Sequence, residues 1–501
     1  MRPLGRVLVA NRGEIALRII RACHEEGLEA VAVYSTADHR AAHVQAADIA
    51  VPIGGPAPTE SYLVIDRLIE AALEHGADSV HPGYGFLAER AEFADAVEAA
   101  DLTFIGPPAS AIRAMGNKTE ARRRMAEAGV PVVPGSSGLV SDSDEARAVA
   151  EDIGYPVMVK AALGGGGRGM RLVERPGDLT GALETAASEA HKAFGDAGVY
   201  LEKFIERPRH VEIQILADGR QAVHFGEREC SIQRRHQKLV EEAPSVAVDD
   251  DLRARMGQAA VAGALAVGYR SAGTCEFLLA ADGSFYFLEM NTRIQVEHPV
   301  TELVYGIDLV REQLRVARGG ELGITQDQLR PTGWAIECRI TSEDPSNGFL
   351  PSIGQVDFLR IPAGPWVRWD SGISVGDEIT LFYDSLLGKL IVWGASRDDA
   401  LQRMRRALDE LAIVGVGTNQ GFHRRLLGDE AFCAGDFDIQ FLDRRPDLME
   451  AAPDQSLLSA VAVAAAMAED EARESRRPIV ATDGWQARRV WLQTARLEGL
   501  R

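Results

Sequence analysis

The chain has 501 residues, 46% of them hydrophobic and 26% charged, with a formal net charge of −20. That length allows roughly three domains, and the balance is that of a globular protein, not of a disordered tail. An acidic chain without a basic stretch argues against nucleic acid and anionic membrane as partners, so an anionic ligand must be met by local positive charge.

Five cysteines, Cys23, Cys230, Cys275, Cys338 and Cys433, are scattered with no CxxC spacing. They read as reduced core thiols, and the expected setting is cytoplasmic. The apolar start at 7–10 runs directly into Asn11-Arg12-Gly13-Glu14, which is not a signal peptide. The apolar run at 457–468 is too short to span a bilayer. Of the 54 basic residues only six are lysines: Lys118, Lys160, Lys192, Lys203, Lys238 and Lys389. A chain that otherwise uses arginine makes each lysine a candidate for a task that needs a compact ammonium; the plain alternative is a solvated face.

The predicted elements begin with a strand at 6–10, a helix at 15–26 with Ile15, Ile19, Ala22 and Cys23 on one face, and a strand at 30–34. A helix at 62–75 and strands at 79–81 and 103–105 complete a βαβ pattern with a parallel sheet, which Gly106-Pro107-Pro108 interrupts. A second unit follows from about 118 to 204. It has a helix at 119–128 stopped by Gly129, a strand at 157–161, a glycine loop at 164–169, a helix at 178–193 and a strand at 199–204. The third unit opens with alternation at 210–216, where Val211, Ile213 and Ile215 face one way and His210, Glu212 and Gln214 the other. That predicts a half-buried strand. Strands at 222–233, 274–280 and 285–290, a helix at 250–267 and an α/β stretch at 333–445 follow. The Ala-rich, then charged, segment after about 450 reads as a helix and a small appendage.

Four segments carry chemistry. The loop Gly164-Gly165-Gly166-Gly167-Arg168-Gly169 follows the strand that contains Lys160. Its spacing is neither of the familiar nucleotide fingerprints, and it reads as a mobile phosphate lid or a flexible linker. In the hairpin 274–291, a two-residue turn at Asp282-Gly283 places Glu276 opposite Glu289, with Asn291 on the same face as Glu289. Facing carboxylates repel unless a cation lies between them, and two carboxylates with an amide oxygen suit Mg²⁺ or Mn²⁺; a register shift that turns one glutamate outward is the alternative. Arg293, Gln295 and Glu297 share one face of the next segment, where a guanidinium suits a planar anion and the carboxylate can take a proton, or where the two make a surface salt bridge. Arg234, Arg235, His236 and Lys238 form a local anion site or a solvated charge run.

Taken together these segments resemble the biotin carboxylase family of the ATP-grasp superfamily. The resemblance rests on "ANRGEIA" at 10–16, "HPGYGFL" at 81–87, "KAALGGGGRGM" at 160–170, "RHVEIQ" at 209–214, "ERECSIQRRHQK" at 227–238, "EMNTRIQVEHPVTE" at 289–302 and "ECRI" at 337–340, in family order over about 1–445. It implies an α/β (α+β) fold with a Rossmann-like N-terminal domain over 1–115, an ATP-grasp domain over 116–325 with a lid at about 131–204, and a C-terminal carboxylase domain over 333–445. The 450–501 tail resembles the start of the region that follows the carboxylase unit in longer acyl-CoA carboxylase α chains.

The resemblance also assigns roles. Lys118 and Lys160 would contact ATP, with Gly166 and Gly167 closing over its phosphates. The segment Glu202-Lys203-Phe204-Ile205 would line the adenine edge, with His210, Gln233, His236, Leu279 and Ile439 completing the pocket. Glu276, Glu289 and Asn291 match the metal site; Lys238, Arg293, Gln295 and Val296 match the bicarbonate site. Glu297 matches the general base, Arg339 the biotin-binding arginine and Tyr84 a residue beside the biotin ring. The hairpin between the two glutamates is one residue longer than in the typical bacterial subunit.

The implied activity is ATP-dependent carboxylation of biotin with bicarbonate, as part of an acetyl-CoA or related acyl-CoA carboxylase. The last lysine is Lys389, so the expected biotin rides on a separate carrier protein. The expected partners are that carrier, a carboxyltransferase and a second copy of the chain, with Arg21 and Glu25 at the dimer interface. Propionyl-CoA, methylcrotonyl-CoA and pyruvate carboxylases are the alternative settings. Another ATP-grasp ligase, such as one making carbamoyl phosphate, would lack the pair Arg339 and Tyr84, and a non-catalytic nucleotide-binding regulator would have lost a site residue.

Overall fold

The computed structural model describes residues 4–136, 138–140, 142–161, 170–194, 197–450, 463–470 and 490–495. The chain divides into two units, 1–450 and 451–501. In the second, residues 463–470 and 490–495 are helical.

The first sheet is parallel, with strands β1 (Arg6–Val9), β2 (Glu29–Ser35), β3 (Ile49–Gly54), β4 (Ser79–His81) and β5 (Thr103–Phe104) in the order 3-2-1-4-5. The helix Gly13–Glu25 buries the predicted face, Ile15, Ile19, Ala22 and Cys23, against it. Strand β3 was not legible in the sequence. It lies at the edge, alternates buried and exposed residues and carries Pro52, which an edge strand tolerates.

Strands β6 (Val157–Ala161), β7 (Met170–Val173) and β8 (Val199–Lys203) form a small antiparallel sheet with its own core, packed against helices Ser143–Ile153 and Leu179–Phe194. Asp142 caps the first of these helices, its side chain accepting from the backbone of Asp144 and Glu145. The glycine loop at 164–169, with Gly166 and Gly167, lies outside the described residues.

The centre is one eight-stranded antiparallel sheet. Its strands are β9 (Arg209–Asp218), β10 (Ala222–Arg234), β11 (Gln237–Ala243), β12 (Arg270–Leu279), β13 (Phe285–Asn291), β14 (Trp334–Thr341), β15 (Val367–Ser371) and β16 (Leu386–Gly394), in the order 13-12-9-10-11-14-16-15. The segments expected on either side of 325–333 share this sheet, because β11 pairs with β14 from Val240–Cys338 to Ala243–Ala335. Helix Asp250–Ala266 covers the β9–β12 part, and helices Arg397–Glu410 and Gln420–Gly428 cover the β14–β16 part.

Two local expectations change. Strand β9 is buried along both faces except at its ends, not on one face only, since its polar side is covered by charged side chains from neighbouring strands. The hairpin turn is not two residues long. Leu279 pairs with Phe285 and Ala280 donates to Ser284, so the turn holds Ala281, Asp282 and Gly283, with Gly283 at φ +81°. That register would put Glu276 opposite Leu288. A one-residue bulge between Phe287 and Glu289 restores the pairing of Glu276 with Glu289, and the extra residue, Leu288, is 39% exposed.

Four of the five cysteines are buried and none is disulfide-bonded. Burial pushes the Cys23 and Cys275 thiols up to about 12, which keeps them protonated.

Candidate active site

The ladder registers line up one row of charge across four strands: Glu289 on β13, Glu276 on β12, Glu212 on β9 and Arg228 on β10. Side chains directly opposite on antiparallel strands share a face, so the sheet itself gathers three carboxylates and a guanidinium. Lys238 reaches in from β11. Its ammonium lies 2.6 Å from Glu212, 2.9 Å from Glu276 and 2.7 Å from Glu297. Burial disfavours that charge, yet the three carboxylates outweigh it and raise the lysine well above its usual range.

Arg228 is the residue that sequence reasoning missed. It is wholly buried and donates to five side chains: Glu212 at 2.5 Å, Gln214 at 2.6 Å, Gln295 at 2.7 Å, and Thr274 and Thr301 at 3.0 Å. A guanidinium satisfies five acceptors in one plane, which lysine does not. Removing it would leave Glu212 with Lys238 as its remaining cation and would leave the Gln214, Gln295, Thr274 and Thr301 oxygens without this donor. Its position in an alternating string was the only trace in the sequence, because its partners come from four other segments.

The segment 292–297 crosses this cluster. Gln295 donates to Glu276 at 2.8 Å while its oxygen accepts from Arg228. Arg293 lies 3.0 Å from Glu89 and donates to the Asn291 oxygen at 3.1 Å. Glu297 accepts from Lys238 on one oxygen and from Arg339 at 3.0 Å on the other. Burial would lift the Glu297 carboxyl, but Lys238, Arg339 and Arg228 overcome it and hold it well below the usual carboxylate range. Arg339, on β14, also donates to Glu241 at 2.6 Å. Tyr84 donates its hydroxyl to the buried Glu14.

The residues expected at a metal meet on the hairpin. Glu276 is held ionised: burial opposes the charge, and Lys238 and His210 more than compensate. Glu289 is pushed up, by burial first and by the Glu276 charge next. A divalent cation held by the two carboxylates would remove that second cause; Asn291 donates its amide nitrogen to Glu276 at 2.8 Å while its oxygen accepts from Arg293, so it would add an oxygen ligand by giving up that bond. The donor set therefore fits Mg²⁺ or Mn²⁺, which prefer hard oxygen ligands.

The residues expected around a nucleotide are spread over more elements. Lys118 begins the helix Lys118–Glu127 and lowers the Glu289 carboxyl from a distance. Lys160 and Arg122 both pair with Glu202 on the small sheet. Lys203 turns away to the carbonyls of Gly154 and Tyr155, and the Phe204 amide donates to Pro156. Ile205 follows in a partly buried link to β9. His210 lies 3.0 Å from Glu276. Gln233 pairs with Lys238 across the β10–β11 hairpin, and His236 is exposed in its two-residue turn, with Arg235 at φ +48° and His236 at φ +65°. Leu279 is in the core, and the Ile439 amide donates to Pro208 just before β9.

Three family models tile the chain. They are "Biotin carboxylase, N-terminal domain" at 3–112, "Carbamoyl-phosphate synthase L chain, ATP binding domain" at 117–325, and "Biotin carboxylase C-terminal domain" at 337–444. The chain is 56% identical to a biotin carboxylase of Nostoc sp. over 87% of its own length and 98% of that protein. It is 53% identical to a pyruvate carboxylase subunit of Methanothermobacter thermautotrophicus over 87% and 89%. Among solved structures it is similar to the biotin carboxylase domain dimer of Hydrogenobacter thermophilus 2-oxoglutarate carboxylase, in complex with MgADP, ADP and bicarbonate. That likeness has a TM-score of 0.84, 47% identity, and covers 90% of this chain and all of that one. No helix among the described residues is long and apolar enough to cross a membrane.

Proposed function

We propose a reaction from one premise: this chain belongs to the biotin carboxylase family, whose members are ATP-dependent ligases of the ATP-grasp fold. The reaction is carboxylation of carrier-borne biotin with bicarbonate and ATP, the first half-reaction of an acetyl-CoA or related acyl-CoA carboxylase. The observation that carries it is the cluster of Lys238, Glu297 and Arg339, in which one buried carboxylate bridges two cations.

Bicarbonate takes its place against Lys238, Arg293, Gln295 and the Val296 backbone. Glu297 accepts its proton. The carboxylate is ionised at neutral pH, and a second anion beside it raises its proton affinity in the direction this step needs. The freed bicarbonate oxygen attacks the γ-phosphorus of ATP, ADP leaves, and carboxyphosphate forms. Lys238 neutralises the developing charge. Glu276, Glu289 and Asn291 would hold the Mg²⁺ or Mn²⁺ that comes with the nucleotide, which would supply charge neutralisation at the phosphates. Carboxyphosphate then divides into CO₂ and phosphate. Phosphate takes the ureido proton of biotin, Arg339 steadies the resulting anion beside Tyr84, and that anion captures CO₂. Lys118, Lys160 and His210, the 202–205 segment, Gln233, His236, Leu279 and Ile439 are the nucleotide contacts of this reading, with the 164–169 loop over the phosphates.

We assign the biotin to a separate carrier and the acceptor to a carboxyltransferase partner. The similar solved structure is a dimer, and the exposed Arg21 and Glu25 on the first helix are the contacts we propose for a second copy. A pyruvate carboxylase setting is the second reading, since the chain is also 53% identical to a pyruvate carboxylase subunit.

The test is ATP cleavage by the purified chain. It is expected to require bicarbonate and to rise with free biotin. Glu297→Ala is expected to keep ATP binding within about two-fold while turnover falls on the order of 100-fold or more, the scale of a lost general base. Turnover that ignores bicarbonate, or an unimpaired Glu297→Ala, would refute the reading.

A further inference from the structure

Two of the six lysines have no part in the reaction above. Lys192 is exposed, whereas Lys389 is fully buried on β16. A buried ammonium is costly unless it is paired and hydrogen-bonded, so its partners describe its task. Lys389 donates to the Val296 carbonyl at 2.8 Å, lies 3.1 Å from Glu14, and is 4.0 Å from Asp370. Asp370 is already engaged on both oxygens by the Nε and Nη2 of Arg368. Glu14 is therefore the closest free carboxylate, with the buried Glu337 on β14 a further negative group acting on the ammonium, and Val296 is the group that is gripped.

The register explains why this grip matters. Lys389 sits directly opposite Arg339 on β14 and opposite Asp370 on β15. Two cations on neighbouring strands thus seize consecutive residues of one loop. Lys389 holds the Val296 carbonyl and Arg339 the Glu297 carboxylate. The Val296 carbonyl belongs to the planar peptide unit that joins Val296 to Glu297, so fixing it fixes the Cα from which Glu297 projects. From the other side, Glu14 lies in the first turn of helix Gly13–Glu25, and it also accepts the Tyr84 hydroxyl. That helix start is itself clamped. The backbone at Gly372, just past β15, lies so close that a Cβ there would be 2.7 Å from the Gly13 carbonyl carbon.

We propose that Lys389, with Glu14 as its counter-ion, is a positioning pair for the bicarbonate site: it sets the peptide that carries Glu297 and ties it to the N-terminal helix and Tyr84. This rests on the function proposed above. Lys389 does not touch the reacting atoms in this account; it acts through Val296.

The test compares Lys389→Met with the double variant Lys389→Met/Glu14→Gln, which removes both charges of the pair. Initial rates of ATP cleavage are measured against bicarbonate and, separately, against MgATP. In both variants kcat/KM for bicarbonate is expected to fall on the order of 100-fold, the scale set by misplacing a reacting group by about 1 Å, while KM for MgATP stays within about two-fold. The double variant is expected to regain thermal stability without regaining the bicarbonate term. A double variant with parental kcat/KM for bicarbonate, or equal losses toward both substrates, would overturn the proposal. Loss of soluble protein in both Lys389 variants, with Glu14→Gln unaffected, would make Lys389 a folding residue only and overturn it as well. A parent chain without bicarbonate-dependent cleavage would instead sink the function itself.

Discussion

Arg339 is held at both ends. Glu241 and Glu297 take its guanidinium, and its carbonyl accepts from Asn419 and lies 2.8 Å from His423 Nε2. Burial lowers His423 to about 4, against the opposing pull of that carbonyl. An unfolded histidine titrates near 6.5, so the fold keeps this ring neutral. Its stabilisation is complete above pH 6.5 and is lost as pH falls toward 4, by about 3 kcal/mol over that span. His423→Gln keeps a side-chain N–H but cannot charge. Its denaturation midpoint is expected to fall less than the parent's between pH 7 and 5, and parallel curves would contradict the assignment. At this scale the sequence was partly readable. The pairing of Glu276 with Glu289 followed from spacing, and the scarcity of lysine marked all six lysines alike, Lys238 and Lys389 among them. Arg228, Glu241 and Glu14 were not readable, because their roles come from burial beside charges more than a dozen residues away.

The hairpin β12–β13 shows how an element reached the expected result by another route. Spacing alone called for a two-residue turn and an even ladder, whereas the chain makes a three-residue turn and repairs the register at Leu288. Neither departure has a sequence signature beyond the Asp-Gly pair, since turn length and bulge trade off against each other. The bulge makes a prediction. Deleting Leu288 leaves Phe277 opposite Phe287 and Glu276 opposite Glu289, so Mn²⁺-dependent nucleotide binding by calorimetry is expected within about ten-fold of the parent. Inserting one residue between Leu288 and Glu289 turns Glu289 and Asn291 to the other face and is expected to abolish it. Loss in the deletion, or retention in the insertion, would contradict this register. The elements expected around the first sheet have bounds within two or three residues of those found, but edge strand β3, whose proline and alternation carried too weak an apolar signal, and the helices Ala42–Ala46, Ala91–Ala99 and Ala109–Gly116 were not read.

Across the whole unit, the central sheet is the device that makes the site. It brings β9–β13 and β14–β16 side by side, so that groups more than a hundred residues apart in sequence, Lys238 and Arg339, meet on the same carboxylate. The first helix adds Glu14, and the chain between β4 and the helix Ala91–Ala99 adds Tyr84 and Glu89. Sequence showed the α/β class and the order of the segments; that one sheet joins the last two regions required the pairing of β11 with β14. The central claim is that bicarbonate, prepared by Glu297, attacks the γ-phosphorus. Turnover with ¹⁸O-labelled bicarbonate tests it most directly. The predicted result is phosphate carrying one labelled oxygen per ATP cleaved; phosphate whose new oxygen comes only from water would contradict it.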